Sequence, residues 1–151
     1  ERLQKLIDEV QGGYRRLAGL RAGYGSHYQK APMITHTYDY ATPRNAPARF
    51  FFLSLGPWLY PALKGAQVPQ SAWVPVADYL IDRLAEGILS LQKGQNRIRN
   101  FHVLDTRGTL KRAKLEETGS SPDWQNEIHP NDDGYKKLAK ILETKLDELI
   151  A

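Results

Sequence analysis

The sequence predicts an α/β fold with parallel strands, incomplete as a sheet within these residues. Three observations predict it. Helical and extended patterns alternate as helix, strand, helix, strand, helix, an order that joins parallel strands through right-handed crossovers. The first extended stretch, Pro32–Tyr38, is rich in β-branched and aromatic residues, as buried strands are. Two parallel strands are too few to stand alone, because parallel sheets are normally covered on both faces. The missing strands are expected from an upstream polypeptide segment or a partner chain.

The elements follow in order. Residues 2–18 carry Leu3, Leu6, Ile7, Val10, Tyr14 and Leu17 at three- and four-residue spacings, which predicts a helix. Gly12 and Gly13 each cost about 1 kcal/mol relative to alanine in a helix interior, so a kink or an early end is expected there. Gly19, Gly23 and Gly25 read as loop punctuation. Within the Pro32–Tyr38 strand, His36 reads either as a ligand or acid, or as a hydrogen-bonded structural residue.

Residues 41–70 contain Pro43, Pro47, Pro57, Pro61 and Pro69, which exclude any long regular element. Phe50, Phe51, Phe52, Leu53, Leu55, Trp58, Leu59 and Tyr60 nonetheless need burial. This Pro/aromatic-rich insertion reads as a lid or apolar wall of a substrate pocket, or as packing on the outside of the sheet.

Residues 72–92 form the next helix, with Val76, Leu80, Ile81, Leu84, Ile88 and Leu91 in one stripe. Ser71 or a neighbour caps its start, Pro75 fits its first turns, and Gly94 stops it. Phe101–Asp105 is the second strand. Residues 111–128 are mostly loop, broken by Gly119, Ser120, Ser121 and Pro122. The last helix runs from about Asp132 to Ile150 on the stripe Leu138, Ile141, Leu142, Leu146, Leu149 and Ile150. Asn131 is its N-cap, and the helix dipole favours Asp132 and Asp133 in its first turn. Lys136, Lys137, Lys140 and Lys145 read as a solvated outer face.

Composition bounds the function. A chain of 151 residues, 41% hydrophobic and 25% charged, suits one soluble globular domain. No apolar run approaches eighteen residues, so no transmembrane helix is expected. The start Glu1-Arg2-Leu3-Gln4 has no signal-peptide pattern and no initiator methionine, so cytoplasmic and exported locations both stay open. Zero cysteines exclude disulfides and thiol catalysis, and a metal site would need His and carboxylate ligands. The net charge of +4 is mild but uneven. Lys93, Arg97, Arg99, Arg107, Lys111, Arg112 and Lys114 have only Asp105 against them. They read as a phosphate-binding patch or as a solvated face around a strand. No nucleic-acid motif or aromatic stacking pattern accompanies them, so no nucleic-acid partner is expected.

The chemistry concentrates in Asp123-Trp124-Gln125-Asn126-Glu127-Ile128-His129-Pro130, followed by Asn131-Asp132-Asp133-Gly134-Tyr135. A histidine just ahead of a helix N-terminus feels the positive end of the dipole, which favours the neutral imidazole and suits a general base. It also suits a histidine that merely packs.

This stretch resembles the last block of SGNH (GDSL-type) hydrolases, Asp-x-x-His-Pro followed by a helix that opens with Gly and an aromatic. Here it reads Asn126-Glu127-Ile128-His129-Pro130, then Gly134-Tyr135. The strand ending Thr37-Tyr38-Asp39-Tyr40 and the segment Val103–Leu110 also look like the family's later strands. The resemblance implies the C-terminal part of a flavodoxin-like three-layer α/β/α domain. It implies a serine ester hydrolase, acting on an ester small molecule or an acylated carbohydrate, that needs no metal or organic cofactor.

Two departures matter. The family's Gly-Asp-Ser nucleophile block and its Gly-x-Asn-Asp block are absent. None of Ser26, Ser54, Ser71, Ser90, Ser120 and Ser121 stands in the nucleophile context. This chain is then expected to supply His129 as base, with the nucleophile and the oxyanion donors upstream, and to be inactive alone. Second, the family's aspartate is Asn126, which orients an imidazole but cannot neutralise an imidazolium. Asp123, Glu127 and Asp105 are the other candidates for that role, and Asp123 and Asn126 also read as turn or loop-bracing residues. Trp58, Tyr60 and Trp73 line an acyl or sugar site, or pack in the core. The competing readings are a non-catalytic α/β module for interaction or carbohydrate binding, and a phosphate or nucleic-acid binder using residues 93–114.

Overall fold

The structure, a computed structural model, describes residues 1–150 except Phe51 and Asn96, and gives Ser26, His27 and Phe50 by backbone alone. It is a mixed α/β chain: α1 (Arg2–Gly23), α2 (Ser26–Gln29), β1 (Met33–His36), β2 (Ala48–Phe50), β3 (Leu53–Leu55), α3 (Leu59–Gly65), a 3-10 turn (Gln70–Ala72), α4 (Trp73–Ser90), β4 (Phe101–Leu104) and α5 (Asp132–Ile150). β1 and β4 pair in parallel, Met33 opposite Phe101 and His36 opposite Leu104. β2 and β3 form a separate antiparallel hairpin. The two expected parallel strands and the three expected helices are present.

Side chains alternate across a strand, and the two faces of the parallel pair meet different helices. On one face α1 stacks Tyr14 on Phe101 at 5.2 Å and hydrogen-bonds Thr35 through the Tyr14 hydroxyl at 2.8 Å. Leu91, Ile98 and Phe101 form the core there, with Met33 and Val103 packed against it. On the other face, Ile34 and Leu104 share a cavity wall with Leu138 and Leu142 of α5. That face is thinly covered: Gly134 is the only buried residue of α5, and Tyr135, Leu142 and Leu146 are exposed.

The sheet edges also differ. The outer edge of β4 is capped by a side chain, since the Val103 N–H donates to Gln92 Oε1 at 2.7 Å. The outer edge of β1 has no strand partner among the described residues.

Several expectations need correction. Helix α1 does not break at Gly12-Gly13 but continues to Gly23. Tertiary contacts on both sides of the glycine pair hold it: Gln11 Nε2 donates to the Gly87 carbonyl at 2.8 Å, and Tyr14 is fixed on the sheet. Packing outweighs propensity here. The insertion is not irregular throughout. Its prolines fall outside the short elements or in their first turn, with Pro47 ahead of β2, Pro57 ahead of α3 and Pro61 in the opening turn of α3. Ser71 does not cap α4; it lies in the 3-10 turn, and no side chain caps that helix. The N-cap of α5 is as expected, with Asn131 Oδ1 accepting the Gly134 N–H at 3.0 Å. Lys137 is not merely solvated, because it pairs with Asp123 at 2.6 Å. Among the described residues no helix is long and apolar enough to cross a membrane.

Gly87 lets α1 and α4 approach. A Cβ there would stand 2.5 Å from Ile7 Cγ2, a branched side chain that is itself buried. Alanine normally gains about 1 kcal/mol over glycine in a helix, but overpacking costs about 1–3 kcal/mol. Gly87→Ala is therefore expected to lower the stability measured by urea unfolding, whereas Gly65→Ala, where nothing lies within 4 Å, is not.

Candidate functional site

His129 lies three residues ahead of α5 and lines a largely apolar cavity of about 780 Å³. Residues that follow β1 and β4 in the chain, including Thr37, Tyr38 and Thr106, line the same cavity. The carboxyl ends of parallel strands are where open α/β sheets place their ligands.

The loop that carries His129 is built around one oxygen. Asn126 Oδ1 accepts the backbone N–H of Ile128 at 3.1 Å and of His129 at 2.9 Å, and lies 3.1 Å from His129 Nδ1. Asn126 is 3% exposed. Two backbone donors define which amide atom is the oxygen, because the NH₂ group cannot accept them. Nδ1 must then carry the proton that it shares with Oδ1. The tautomer that follows leaves the lone pair on Nε2.

The loop is braced from several sides. The backbone N–H of Gln125 donates to the His129 carbonyl at 2.9 Å, and that of Asn131 to the Asp123 carbonyl at 3.0 Å. Gly134 packs the first turn of α5 on the loop, and a Cβ there would collide with the Asp123 carbonyl and press on Pro130. The Gly in the His-Pro-x-x-x-Gly string thus has a steric reason. Tyr38 donates its hydroxyl to the Ile128 carbonyl, and burial first, then Tyr135 and Glu127, push its pKa up to about 12.

The carboxylates considered beside Asn126 are held elsewhere. Asp123 binds Lys137 Nζ at 2.6 and 2.8 Å and accepts the Lys111 N–H. Burial alone would raise its pKa, yet these donors hold it below the ordinary carboxylate value. Asp105 binds the Arg107 guanidinium at 2.6 and 2.9 Å and accepts the Thr37 hydroxyl at 3.0 Å. Glu127, 1% exposed, accepts four backbone N–H groups, from Arg44 at 3.2 Å, Leu59 at 2.8 Å, Tyr60 at 2.7 Å and Trp58. Among the described residues no carboxylate forms an ion pair with His129. The structure therefore brings Asn126 to His129 and does not bring Asp123 there.

Arg44 escaped the sequence reading, and Glu127, a candidate acid there, proves to be a clamp instead. Glu127 satisfies the free N–H groups that open α3, and so clamps the insertion onto the His129 loop. Arg44 is fully buried and donates to the carbonyls of Glu117 at 3.0 Å, Asn126 at 2.7 Å and Gly119. Burial lowers the Arg44 pKa, and Glu117 and Glu127 oppose that shift. The available signal was a lone cation in the otherwise uncharged run Tyr40–Ala48.

The aromatics separate. Tyr60 and Trp73 stack edge-on at 5.4 Å, and Trp73 is buried with its indole N–H on the Val68 carbonyl. Trp58 alone of the three meets His129, edge-on at 5.7 Å. His36 lines the cavity with Nδ1 at 2.6 Å from the Thr37 carbonyl. No serine among the described side chains hydrogen-bonds His129; Ser120 and Ser121 point to the Trp124 carbonyl. In the basic segment, Arg107 pairs with Asp82 and Asp105, and Arg112 pairs with Asp78. Among the described residues no three His, Asp or Glu side chains converge on a metal position.

Fold and site together define a mixed α/β chain with a two-stranded parallel sheet and a histidine loop beside an apolar cavity. In comparisons with known proteins, no family, no curated protein and no solved structure matches this chain.

Two outcomes follow from these contacts. Glu127→Ala leaves four backbone donors without their acceptor, and unsatisfied buried groups cost about 1–3 kcal/mol each. The variant is expected to lose at least about 3 kcal/mol in chemical denaturation, and unchanged stability would contradict the clamp. The Arg107 hydrogen bond holds Asp105 at a pKa of about 2, below the unfolded value of about 3.9. Its contribution is therefore present above about pH 4 and lost as the pH falls to about 2. The stability gap between the native chain and Asp105→Asn should close over that window.

Proposed function

We propose that this chain is the histidine-bearing part of a serine ester hydrolase of flavodoxin-like three-layer architecture. The observation that carries the reading is the Asn126–His129 pair, which fixes the imidazole by Nδ1 and leaves Nε2 without a hydrogen-bond partner among the described residues, beside a cavity. In this reading an upstream serine attacks an ester carbonyl. His129 Nε2 takes the serine proton and then gives it to the leaving alcohol. Oxyanion donors come from the same upstream part. Asn126 holds the ring but does not neutralise the imidazolium, so turnover is slow for this chemistry.

The open edge of β1 and the uncovered side of α5 support completion of the sheet by further polypeptide. Further polypeptide along β1 would cover the side of the groove that Ile34, Leu138 and Leu142 line and leave its His129 side open. Trp124 is another wall of this groove, and its buried indole N–H has no acceptor among the described residues.

One observation favours a second reading, a non-catalytic α/β module for interaction or carbohydrate binding: an amide stands where an acid is expected. The two readings separate on the natural full-length product. A fluorophosphonate probe is expected to label a serine outside these residues, and His129→Ala is expected to abolish cleavage of a nitrophenyl ester. The 151-residue chain alone should show none. Labelling of a serine within it, or robust turnover by it, would refute the split site, and a product without the Gly-Asp-Ser block would favour the module. Asn126→Asp keeps an oxygen for all three donors and adds the missing charge. It is expected to raise kcat at least about tenfold, within the roughly 10⁴ that the aspartate supplies in serine proteases.

A further inference from the structure

The other end of the parallel strands, away from the His129 loop, is built around arginine. Arg21 of α1 donates Nη1 to the carbonyls of Ala31 at 2.8 Å and Asn100 at 3.3 Å, and Nη2 to that of Arg99 at 2.6 Å. Ala31 and Asn100 lie just ahead of β1 and β4. One guanidinium thus ties α1 to the start of both strands. Its three acceptors are neutral, and no carboxylate pairs with it among the described residues. Its buried Nε has no acceptor among them either. Arg21 is therefore a fixed positive charge that the fold holds without neutralising.

Two more arginines join it. Arg15 of α1 and Arg99, on the approach to β4, line a hollow of about 450 Å³ together with Arg21. Gln29 of α2, held to the Ala22 carbonyl at 3.2 Å, adds a neutral hydrogen-bonding group, and Ala18 and Ile98 give the lining an apolar part. No aspartate or glutamate lines this hollow among the described residues. Arg99 is exposed, and its side chain forms no ion pair among them. The basic segment around β4 therefore divides in two. Arg107 and Arg112 are compensated by Asp82, Asp105 and Asp78, whereas Arg99 faces a hollow shared with the arginines of α1.

Like charges around a concave surface repel one another and focus their field into it. Nothing in the lining offsets that repulsion, and an entering anion does. Guanidinium donors lie in one plane and match the oxygens of a phosphoryl group. Size and composition narrow the choice. The hollow falls within the roughly 300–1,000 Å³ of small-ligand sites. It is lined by no aromatic side chain, whereas single-stranded nucleic acid is held on stacking platforms.

We propose that this hollow is an anion site for a compact phosphomonoester group, with Arg15 and Arg99 on the phosphoryl oxygens and Arg21 as a fixed positive charge behind them. The site is separate from the His129 cavity and does not rest on the hydrolase reading.

Gly19 provides the test. It lines the hollow, and a Cβ there would meet nothing within 4 Å. Gly19→Glu puts a carboxylate among the arginines, and Gly19→Gln is its neutral match in size. Both raise the helix propensity of α1, so neither should lower the urea midpoint. The natural full-length product is titrated by calorimetry with glycerol 3-phosphate and with acetate at matched ionic strength. Glycerol 3-phosphate is expected to bind saturably and more tightly than acetate. Gly19→Glu should weaken it at least about tenfold and Gly19→Gln much less. Arg99→Ala, which removes no contact within the fold, should weaken it several-fold. Capture by phosphatidylcholine vesicles only when they contain phosphatidic acid, and its loss in Gly19→Glu, would assign the same phosphoryl chemistry to a lipid headgroup. No saturable binding of either phosphate form, acetate binding as tightly, or equal binding by Gly19→Glu would overturn the site. A single-stranded DNA oligonucleotide bound in preference to glycerol 3-phosphate, with a steep salt dependence, would also overturn it and make the arginines a nucleic-acid surface.

Discussion

One amide oxygen organises this molecule's candidate site. Asn126 Oδ1 takes two backbone N–H groups and one imidazole N–H. The first two make the turn, and the third orients the ring inside it. Because the backbone donors fix the amide's sense, the histidine tautomer follows from the fold and needs no further group. Turn formation and ring orientation are therefore one interaction, and a side chain at residue 126 that cannot accept would lose both.

Around that oxygen the structure uses buried polar groups as clamps. Arg44 collects three carbonyls from the connection between β4 and α5, Glu127 collects four N–H groups from the insertion, and Asp123 joins Lys137 of α5 to the Lys111 backbone. Loops cannot be buried without such partners, since every main-chain group needs one. This explains why Asp123 and Glu127, which sit close to His129 in sequence, do not pair with it. Their charges are committed to holding the loop. The same commitments tie Trp58 to His129, so that the insertion and the histidine loop form one surface.

Much of the layout was legible in the sequence, because periodicity and capping are local. The helices α4 and α5, the Asn131 cap and the parallel pairing of β1 with β4 follow from them, although α4 buries Trp73, Ala77, Ala85 and Ile88 rather than the whole expected stripe and α5 buries only Gly134. What was not legible depends on distant partners. Gly12 and Gly13 stay helical because α4 and the sheet grip α1 on both sides. The 48–50 and 53–55 hairpin hides among prolines that punctuate it. At the site, His129 and Asn126 were visible because their spacing is short. The competition among Asp105, Asp123, Asn126 and Glu127 was not decidable, since it turns on donors outside the motif: Arg107 for Asp105, Lys111 and Lys137 for Asp123, and the insertion's backbone for Glu127.

The central claim is that Asn126 sets the tautomer of His129, and nitrogen NMR of the imidazole tests it directly. With His129 assigned through loss of its signals in His129→Gln, the ring near neutral pH should show a protonated, pyrrole-type Nδ1 and a pyridine-type Nε2. In Asn126→Ala that preference should be lost. A native ring protonated on Nε2, or one indifferent to Asn126→Ala, would contradict the account.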